Sequence, residues 1–210
     1  MEQLPERYTT VKKEAHVEFE EKRSVFIGHA LHVESEEQAL EFIKQMKKKY
    51  SDATHNCFAY LLKGGIIARY SDDGEPQGTA GVPMLEAIRK SGVTDVCVVA
   101  TRYFGGILLG AGGLVRAYSH SVSVALEGAE IVTYSPYAVY ELRCGYSEYQ
   151  KYGNILAGAG AVIDDTEFGA DVLVKFALKR EAADALLLKI SEAGYGKDIP
   201  VFVGERFDCR

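Results

Sequence analysis

The sequence predicts an α+β protein of two domains, and three features of the chain predict it. The segment TDVCVVATRY, residues 94–103, is almost continuously apolar, as expected for a central strand that is buried on both faces. The second half shows strand and helix patterns in the order β-α-β-β-α-β, which is the ferredoxin-like arrangement. Between them TYSPY, residues 133–137, interrupts the pattern. We therefore expect one domain over residues 1–135 and a second over residues 136–210.

The elements of the first domain follow from their periodicity. VEFEE and SVFIGHALHV are typical of two neighbouring strands. Ser35 and Gln38 then form a capping box, and the helical spacing of apolar residues behind it predicts a helix over about residues 36–50. NCFAYLL and IIARYS predict a second strand pair around a glycine pair. After a loop, MLEAIRKSG predicts a short helix ending at Gly92, and LVRAYSHSVSVALEG predicts a helix after the central strand.

The elements of the second domain are predicted in the same way. AVYELRC is a strand pattern, and YQKYGNILAGAG is a helix pattern that ends in glycine. AVIDDTEFG and ADVLVKFAL predict a hairpin across Gly169. REAADALLLKISEAG predicts a helix with an apolar face, and VFVGERFD predicts the last strand.

Composition and charge exclude several classes of protein. The net charge of −6 is the opposite of what a protein that coats nucleic acid carries, so any contact with a polyanion must use a local patch. The chain holds no long apolar run and its first residues are charged, so no membrane association is expected and the protein is predicted to be cytoplasmic. The four cysteines are far apart, which favours reduced thiols over zinc ligands or a disulfide framework.

The stretch RYFGGILLGAGGLVRAYSH, residues 102–120, is the first candidate site. It leads from the end of the central strand into a helix, where free backbone N–H groups form an anion site, and two arginines can add contacts to a phosphate. The residues expected to contact an anion or a nucleic acid are Arg102, Tyr103, Phe104, Gly105, Gly106, Gly110, Gly112, Gly113, Arg116 and His120. The alternative is a glycine-rich crossover where strand and helix pack tightly. The stretch lacks the GK[ST] sequence of a Walker loop.

A second candidate is the turn SDDGEPQGTAGVP, residues 71–83. Three carboxylates stand close together there and could hold a Mg²⁺ ion, whereas the alternative is a β-turn with solvated acids and a threonine that caps the next helix. Cys57 beside His55 is weighed as a nucleophile pair, but no third orienting group follows from the sequence. The residues of this possible polar site are His55, Asp72, Asp73, Glu75 and Thr79. No metal site and no cofactor are expected.

Four blocks of the first domain together resemble the YigZ/IMPACT family. They are Arg102-Tyr103-Phe104-Gly105-Gly106 with Leu109-Gly110, Gly112-Gly113-Leu114 and Arg116-Ala117-Tyr118; Asp72-Asp73-Gly74-Glu75-Pro76 with Gly78-Thr79-Ala80-Gly81 and Pro83; Lys22-Arg23-Ser24-Val25-Phe26; and His55-Asn56-Cys57-Phe58-Ala59-Tyr60. The second half is similar to the small C-terminal domain of the bacterial two-domain members.

The resemblance implies a fold for each half and a field of action. The first half would have the β-α architecture of the second domain of ribosomal protein S5, and the second half would resemble the ferredoxin-like last domain of elongation factor G. Eukaryotic relatives act in translational control through a partner of the amino-acid-starvation kinase. Their extra domain is not found in these residues, so that partnership is not expected here. A proline-dipeptidase label attached to some relatives finds no support in this sequence.

Three functions remain open at this point. The first is a regulator that contacts RNA or the ribosome through the glycine-rich stretch and its arginines. The second is a protein-interaction module that docks through the ferredoxin-like sheet. The third is a Mg²⁺-dependent phosphoryl- or acyl-transfer enzyme that uses the glycine-rich loop as an anion cradle. The first is favoured.

Overall fold

The structure, a computed structural model, describes residues 7–209, in which ten strands and five α-helices follow one another. In chain order they are β1 Tyr8–Val11, β2 Ala15–Glu21, β3 Ser24–His32, α1 Glu36–Lys49, β4 His55–Leu62, β5 Ile67–Ser71, α2 Gly81–Ser91, β6 Val96–Tyr103, α3 Ala111–Gly128, β7 Ile131–Cys144, α4 Tyr146–Gly158, β8 Val162–Phe168, β9 Val172–Lys179, α5 Ala183–Ala193 and β10 Val201–Asp208. Two units form: one is Tyr8–Thr133, and the other is built from Tyr134 onward.

The first unit is a sheet with helices on both faces. Its strands are antiparallel in the order β2-β3-β6-β4-β5, so β6 is central and is buried along its length, as its apolar sequence predicts. α1 packs on one face through Phe42, Ile43 and Met46. α2 and α3 cover the other face and enclose the larger core. Strand β1 pairs with β7.

The first residue of each of these helices is set by the backbone and its capping hydrogen bonds, and not by the apolar periodicity of the sequence. α1 begins as predicted, with the Ser35 hydroxyl accepting a hydrogen bond from Gln38 N–H; the Gln38 side chain in turn accepts from Glu34 N–H, one residue earlier than in a standard capping box. α2 and α3 both begin three residues before the predicted apolar pattern, at Gly81 and Ala111. The residues before the predicted patterns are Gly81-Val82-Pro83 in α2 and Ala111-Gly112-Gly113 in α3, and these short runs give no amphipathic signal.

The second unit has the predicted ferredoxin-like topology. Its antiparallel strands lie in the order β10-β7-β9-β8, which is 4-1-3-2 when counted from β7. α4 and α5 pack on one face of this sheet, where Tyr152, Leu156, Leu186 and Ile190 are buried. The α+β class predicted from the sequence is confirmed.

One sequence feature was misread. TYSPY does not interrupt the pattern of elements, because the strand β7 runs through all of its residues. Pro136 pairs with Phe207 of β10, while the pairing of β7 with β9 begins only at Tyr137. A proline is tolerated in a strand where one side needs no ladder hydrogen bond.

The remaining bulk predictions concern helices and thiols. No helix within residues 7–209 is long and apolar enough to cross a membrane. In the same range Cys57, Cys97, Cys144 and Cys209 are all free thiols, and the first three are buried. Burial of this kind is typical of cysteines that serve as small apolar core residues.

Candidate functional site

The sheet register brings Arg102 between two residues that are far away in sequence. Arg102 lies opposite Phe26 on β3 and opposite His55 on β4. Residues that face each other across antiparallel strands project from the same side of the sheet. Phe26 belongs to the core beneath α2 and α3, so Arg102 and His55 also project toward those two helices.

Arg102 is held by an internal ion pair. Its Nη1 donates to Glu75 Oε1 at 2.6 Å, and its Nη2 lies 3.4 Å from the Ser24 hydroxyl. The guanidinium carbon lies 5.5 Å from the ring centres of both Phe26 and Phe104, so the cation is flanked by two aromatic rings. Only 6% of the Arg102 side chain and 3% of the Glu75 side chain are exposed. Arg102 is therefore a buried partner of Glu75, and not the free phosphate clamp that the sequence suggested.

Glu75 also organises the apolar core beneath the site. The Tyr118 hydroxyl donates to Glu75 Oε1 at 2.7 Å, and burial raises the pKa of this tyrosine well above its usual range.

Burial also raises the pKa of the Cys57 thiol to about 12, and the thiol donates to the Asp72 carbonyl. A thiol with such a pKa is not a nucleophile at neutral pH, so the Cys57–His55 pair does not fit covalent catalysis.

The carboxylates of the second candidate diverge. Asp73 pairs with Lys47 at 2.6 Å and accepts the Asn56 N–H at 2.7 Å, whereas Glu75 faces Arg102. Asp72 turns instead to α2, where its two oxygens accept three backbone N–H groups. Within the described chain no group of three metal-ligating side chains is close enough to hold an ion. The Mg²⁺ hypothesis therefore has no support in this geometry.

Asp72 performs the capping that the sequence assigned to a threonine. It accepts from Gly78 N–H at 2.9 Å, Ala80 N–H at 3.0 Å and Gly81 N–H at 2.8 Å. The Thr79 hydroxyl donates instead to the Pro76 carbonyl at 2.6 Å. A carboxylate supplied from a preceding loop satisfies the N–H groups at the start of α2 more fully than the short threonine side chain can.

Replacement of Asp72 by alanine is expected to lower the free energy of unfolding by about 1–2 kcal/mol at neutral pH. Burial acts to raise the pKa of Asp72, but the three N–H groups outweigh it and lower the pKa. This stabilisation is therefore complete above about pH 4 and is lost as the pH falls through the lowered pKa. Urea unfolding at pH 7 and pH 3 measures it, and Asp184→Ala, which removes an exposed acid from the first turn of α5, serves as the control. Equal losses at both pH values would contradict this assignment.

The glycines of the first candidate serve two different needs. A Cβ at Gly105 would lie 1.9 Å from the carbonyl oxygen of Arg23, so this glycine lets the loop touch the backbone of the β2–β3 turn. Gly106 and Gly110 adopt φ of 82° and 71°, which favours glycine. The close contact at Gly105 is therefore with the backbone of the protein itself. The loop nevertheless remains open, because Gly106, Leu108 and Gly110 are exposed.

The N-terminus of α3 keeps unneutralised positive character. Gly110 precedes the helix and no side chain caps it; its first turn holds no acid. Arg116 is exposed, and its Nη1 lies 3.7 Å from the position that a Cβ on Gly112 would take. The guanidinium therefore folds back over the first turn, and it forms no ion pair with any residue of the described range. Both features favour anions at this end of the helix.

The other residues of this stretch are placed as follows. The Tyr103 hydroxyl donates to Asp52 at 2.9 Å, and Phe104 N–H donates to the Thr54 hydroxyl, which fixes the start of the loop. The Phe104 ring is 45% exposed and is available for stacking. His120 is exposed on α3 and contacts the Phe19 ring edge-to-face, at 4.6 Å between ring centres.

A cavity of about 390 Å³ opens beside the start of α3. Its polar lining consists of Thr54, His55, Glu75 and Arg102. Its remaining lining consists of Pro76, Phe104, Leu108, Leu109, Gly110, Ala111 and Leu114. Both candidate stretches of the sequence thus contribute to one site. Its size is within the range of pockets that hold small ligands.

Comparison with known proteins identifies the family. The family model described as the Impact N-terminal domain matches residues 22–126, and one described as a domain of unknown function, DUF1949, matches residues 142–197. The chain is 38% identical to IMPACT family member YvyE of Bacillus subtilis, over 90% of this chain and 88% of that protein. The chain belongs to the IMPACT family. IMPACT family member YigZ of Escherichia coli is 34% identical, over 83% of this chain and 87% of that protein.

A solved structure also agrees with this fold. The crystal structure described as that of a hypothetical protein is 32% identical to the chain, with a TM-score of 0.60, and the match covers 96% of this chain and 99% of the other. Because the match spans nearly the whole of each chain, the likeness extends over both domains. It supports the two-domain α+β architecture and names no activity.

Two residues of this IMPACT protein lie next to the glycine-rich loop and were not among the predicted site residues. Lys22 and Arg23 form the two-residue turn between β2 and β3, since Glu21 pairs with Ser24. Both have positive φ, 47° and 66°, although such turns favour Asn-Gly. They are exposed and form no ion pair within residues 7–209. The sequence feature that could have indicated them is a pair of basic residues between two strand patterns, at a position where glycine or asparagine is usual.

Proposed function

We propose that this IMPACT family member binds RNA of the translation apparatus through a basic surface formed by Lys22, Arg23, Arg116 and the N-terminus of α3. The ribosome is the particle that would present this RNA. The proposal also fits the net charge of −6, because the contact uses a local patch and not the field of the whole molecule. The resemblance to a family whose eukaryotic members act in translational control supports the same direction.

The observation that carries the proposal is the conformation of Lys22 and Arg23. A non-glycine residue in the left-handed region costs on the order of 1 kcal/mol, and two adjacent ones occur here at a turn that asparagine and glycine would form without strain. Folding therefore gains nothing from these two residue types. Strain that the fold does not need points to a contact outside the protein.

The neighbouring groups match a nucleic acid. The β2–β3 turn touches the glycine-rich loop at Gly105, and that loop leads to the uncapped start of α3 and to Arg116. Arginine and lysine contact phosphates, as do the N–H groups of a helix N-terminus. Phe104 and Leu108, both exposed, offer apolar area for unstacked bases.

The double variant Lys22→Asn/Arg23→Gly is expected to separate binding from stability. The free energy of unfolding should rise by about 1 kcal/mol or more, because the strain in the turn is relieved. Affinity for single-stranded RNA should fall about tenfold or more at 0.1 M salt, and the slope of log K against log salt should become shallower by about 1.4. Fluorescence anisotropy with labelled RNA and urea unfolding measure the two effects.

The matched control removes two positive charges elsewhere on the same unit. Lys48→Asn/Lys90→Asn changes exposed lysines at the ends of α1 and α2 and should leave the affinity nearly unchanged. Cosedimentation of both variants with ribosomal subunits at graded salt extends the test to the ribosome. Equal binding by the two double variants, or no binding by the unmodified protein, would refute the proposal.

A further inference from the structure

The floor of the cavity beside α3 presents an acceptor without a donor. Glu75 is almost completely buried, and its Oε1 already accepts from Arg102 and Tyr118. Its second oxygen, Oε2, receives no hydrogen bond from residues 7–209. A carboxylate has roughly four acceptor positions, so this one has capacity left for a ligand that donates.

Arg102, which lines the same cavity, carries a donor without an acceptor. Arg102 Nε is buried and has no hydrogen-bond partner in the described chain. A buried polar group that lacks a partner is uncommon and calls for a ligand or an ordered water. Because the charges of Arg102 and Glu75 offset each other, the floor favours a neutral group over a free anion or cation.

The cavity also has an aromatic wall and an anion site at its rim. The Phe104 ring lines it and is 45% exposed, which suits stacking of a planar group. Gly110 and Ala111 line it from the other side and belong to the uncapped start of α3. A planar neutral group at the floor and a phosphate at the rim correspond to the base and the phosphate of a nucleotide.

We infer that the cavity accepts one unpaired guanine base of the bound RNA, an inference that rests on the proposed function and names its specificity. The Watson–Crick edge of guanine carries two adjacent donors, N1–H and the N2 amine, which match the free oxygen of Glu75. Its O6 is an acceptor, which suits the guanidinium of Arg102. Adenine turns an acceptor toward the carboxylate at the corresponding position, and uracil offers one donor. A protein guanidinium offers donors alone and would place a second cation beside Arg102.

His55 fits the same ligand. Its Nδ1 lies 2.9 Å from the carbonyl oxygen of Asp73, so this nitrogen carries the hydrogen. Its Nε2 lies 3.8 Å from Glu75 Oε1, so the ring borders the carboxylate at the floor of the cavity. A guanine amine placed at Glu75 would therefore also lie next to the imidazole.

The test uses the unmodified chain and mononucleotides. Isothermal titration with 5′-GMP, 5′-IMP, 5′-AMP and methylguanidine compares four probes. We expect 5′-GMP to bind at least tenfold more tightly than 5′-AMP, and 5′-IMP to bind about tenfold or more weakly than 5′-GMP, because inosine lacks the amine that faces the carboxylate. Equal binding of the three nucleotides, or binding of methylguanidine in their place, would overturn the inference.

Variants extend the test beyond the free nucleotides. Glu75→Gln replaces the free oxygen by a donor and should abolish the preference for 5′-GMP over 5′-AMP. Phe104→Ala removes the stacking wall and should weaken all three nucleotides alike, whereas Lys90→Asn should change nothing. RNA binding without any preference for guanine overturns this inference and leaves the proposed function standing. Selective 5′-GMP binding by a chain that binds no RNA overturns the proposed function and leaves only the recognition of guanine by the cavity standing.

Discussion

Glu75→Ala is expected to lower the free energy of unfolding of the first unit by about 3–5 kcal/mol, the largest effect of any substitution at the site. The change leaves the Arg102 guanidinium buried between two rings without its counter-charge, and it also removes the acceptor of the Tyr118 hydroxyl. Urea unfolding followed by circular dichroism measures the loss. Glu86→Ala is the matched control, since Glu86 also pairs with an arginine but is 62% exposed, and it should cost less than about 1 kcal/mol.

A second variant distinguishes the unpaired charge from lost packing. Glu75→Leu/Arg102→Met replaces both partners of the ion pair with apolar side chains, and it should recover most of the stability that Glu75→Ala loses, because no buried charge is left. A loss below about 1 kcal/mol for Glu75→Ala would show that water reaches Arg102 freely. That result would also weaken the assignment of the cavity floor.

Gly105→Ala is expected to have the second largest effect, a loss of about 1–3 kcal/mol or more in the free energy of unfolding. The new methyl group would lie 1.9 Å from the carbonyl oxygen and 2.0 Å from the carbonyl carbon of Arg23, so the backbone of the β2–β3 turn has to move. The same shift displaces Lys22 and Arg23 from the loop. RNA affinity should therefore fall together with stability.

Gly112→Ala is the control for Gly105. The nearest atom to a Cβ at Gly112 is the flexible end of Arg116, at 3.7 Å, and the residue lies in the first turn of α3. Alanine there should raise the free energy of unfolding by about 0.5–1 kcal/mol. If Gly105→Ala unfolds at the same urea concentration as the unmodified protein, the close approach of the two backbones does not hold.

Local chemistry made most of the fold predictable. The helix α1 begins at the serine that the capping pattern identified, and β6 is the buried centre of its sheet because its residues are apolar without alternation. The ferredoxin-like half followed from the order of its periodic segments. Boundaries differed at the starts of α2, α3 and α4 and at the proline of TYSPY, where apolar periodicity gives no clear signal.

The site was predictable in its location and not in its contacts. The sequence pointed to both stretches that line the cavity, and the blocks around Arg102 and Asp72 carried the family resemblance. The sequence predicts Arg102 at a phosphate, leaves Asp72 open between a Mg²⁺ ligand and a solvated turn residue, and favours Thr79 as the cap of the next helix. The structure pairs Arg102 with Glu75, joins Asp72 to α2 and bonds Thr79 to Pro76.

The sequence by itself determined the elements, the two-domain α+β class and the membership of the IMPACT family, because these depend on residue type and spacing along the chain. The tertiary structure alone decided which charged side chains are buried in ion pairs and which remain exposed to solvent. The register of β6 with β3 and β4 buries Arg102 opposite Phe26 and His55, while the β2–β3 turn keeps Lys22 and Arg23 in solvent. Pairing between strands far apart in sequence is a property of the packed sheet, and no local pattern records it.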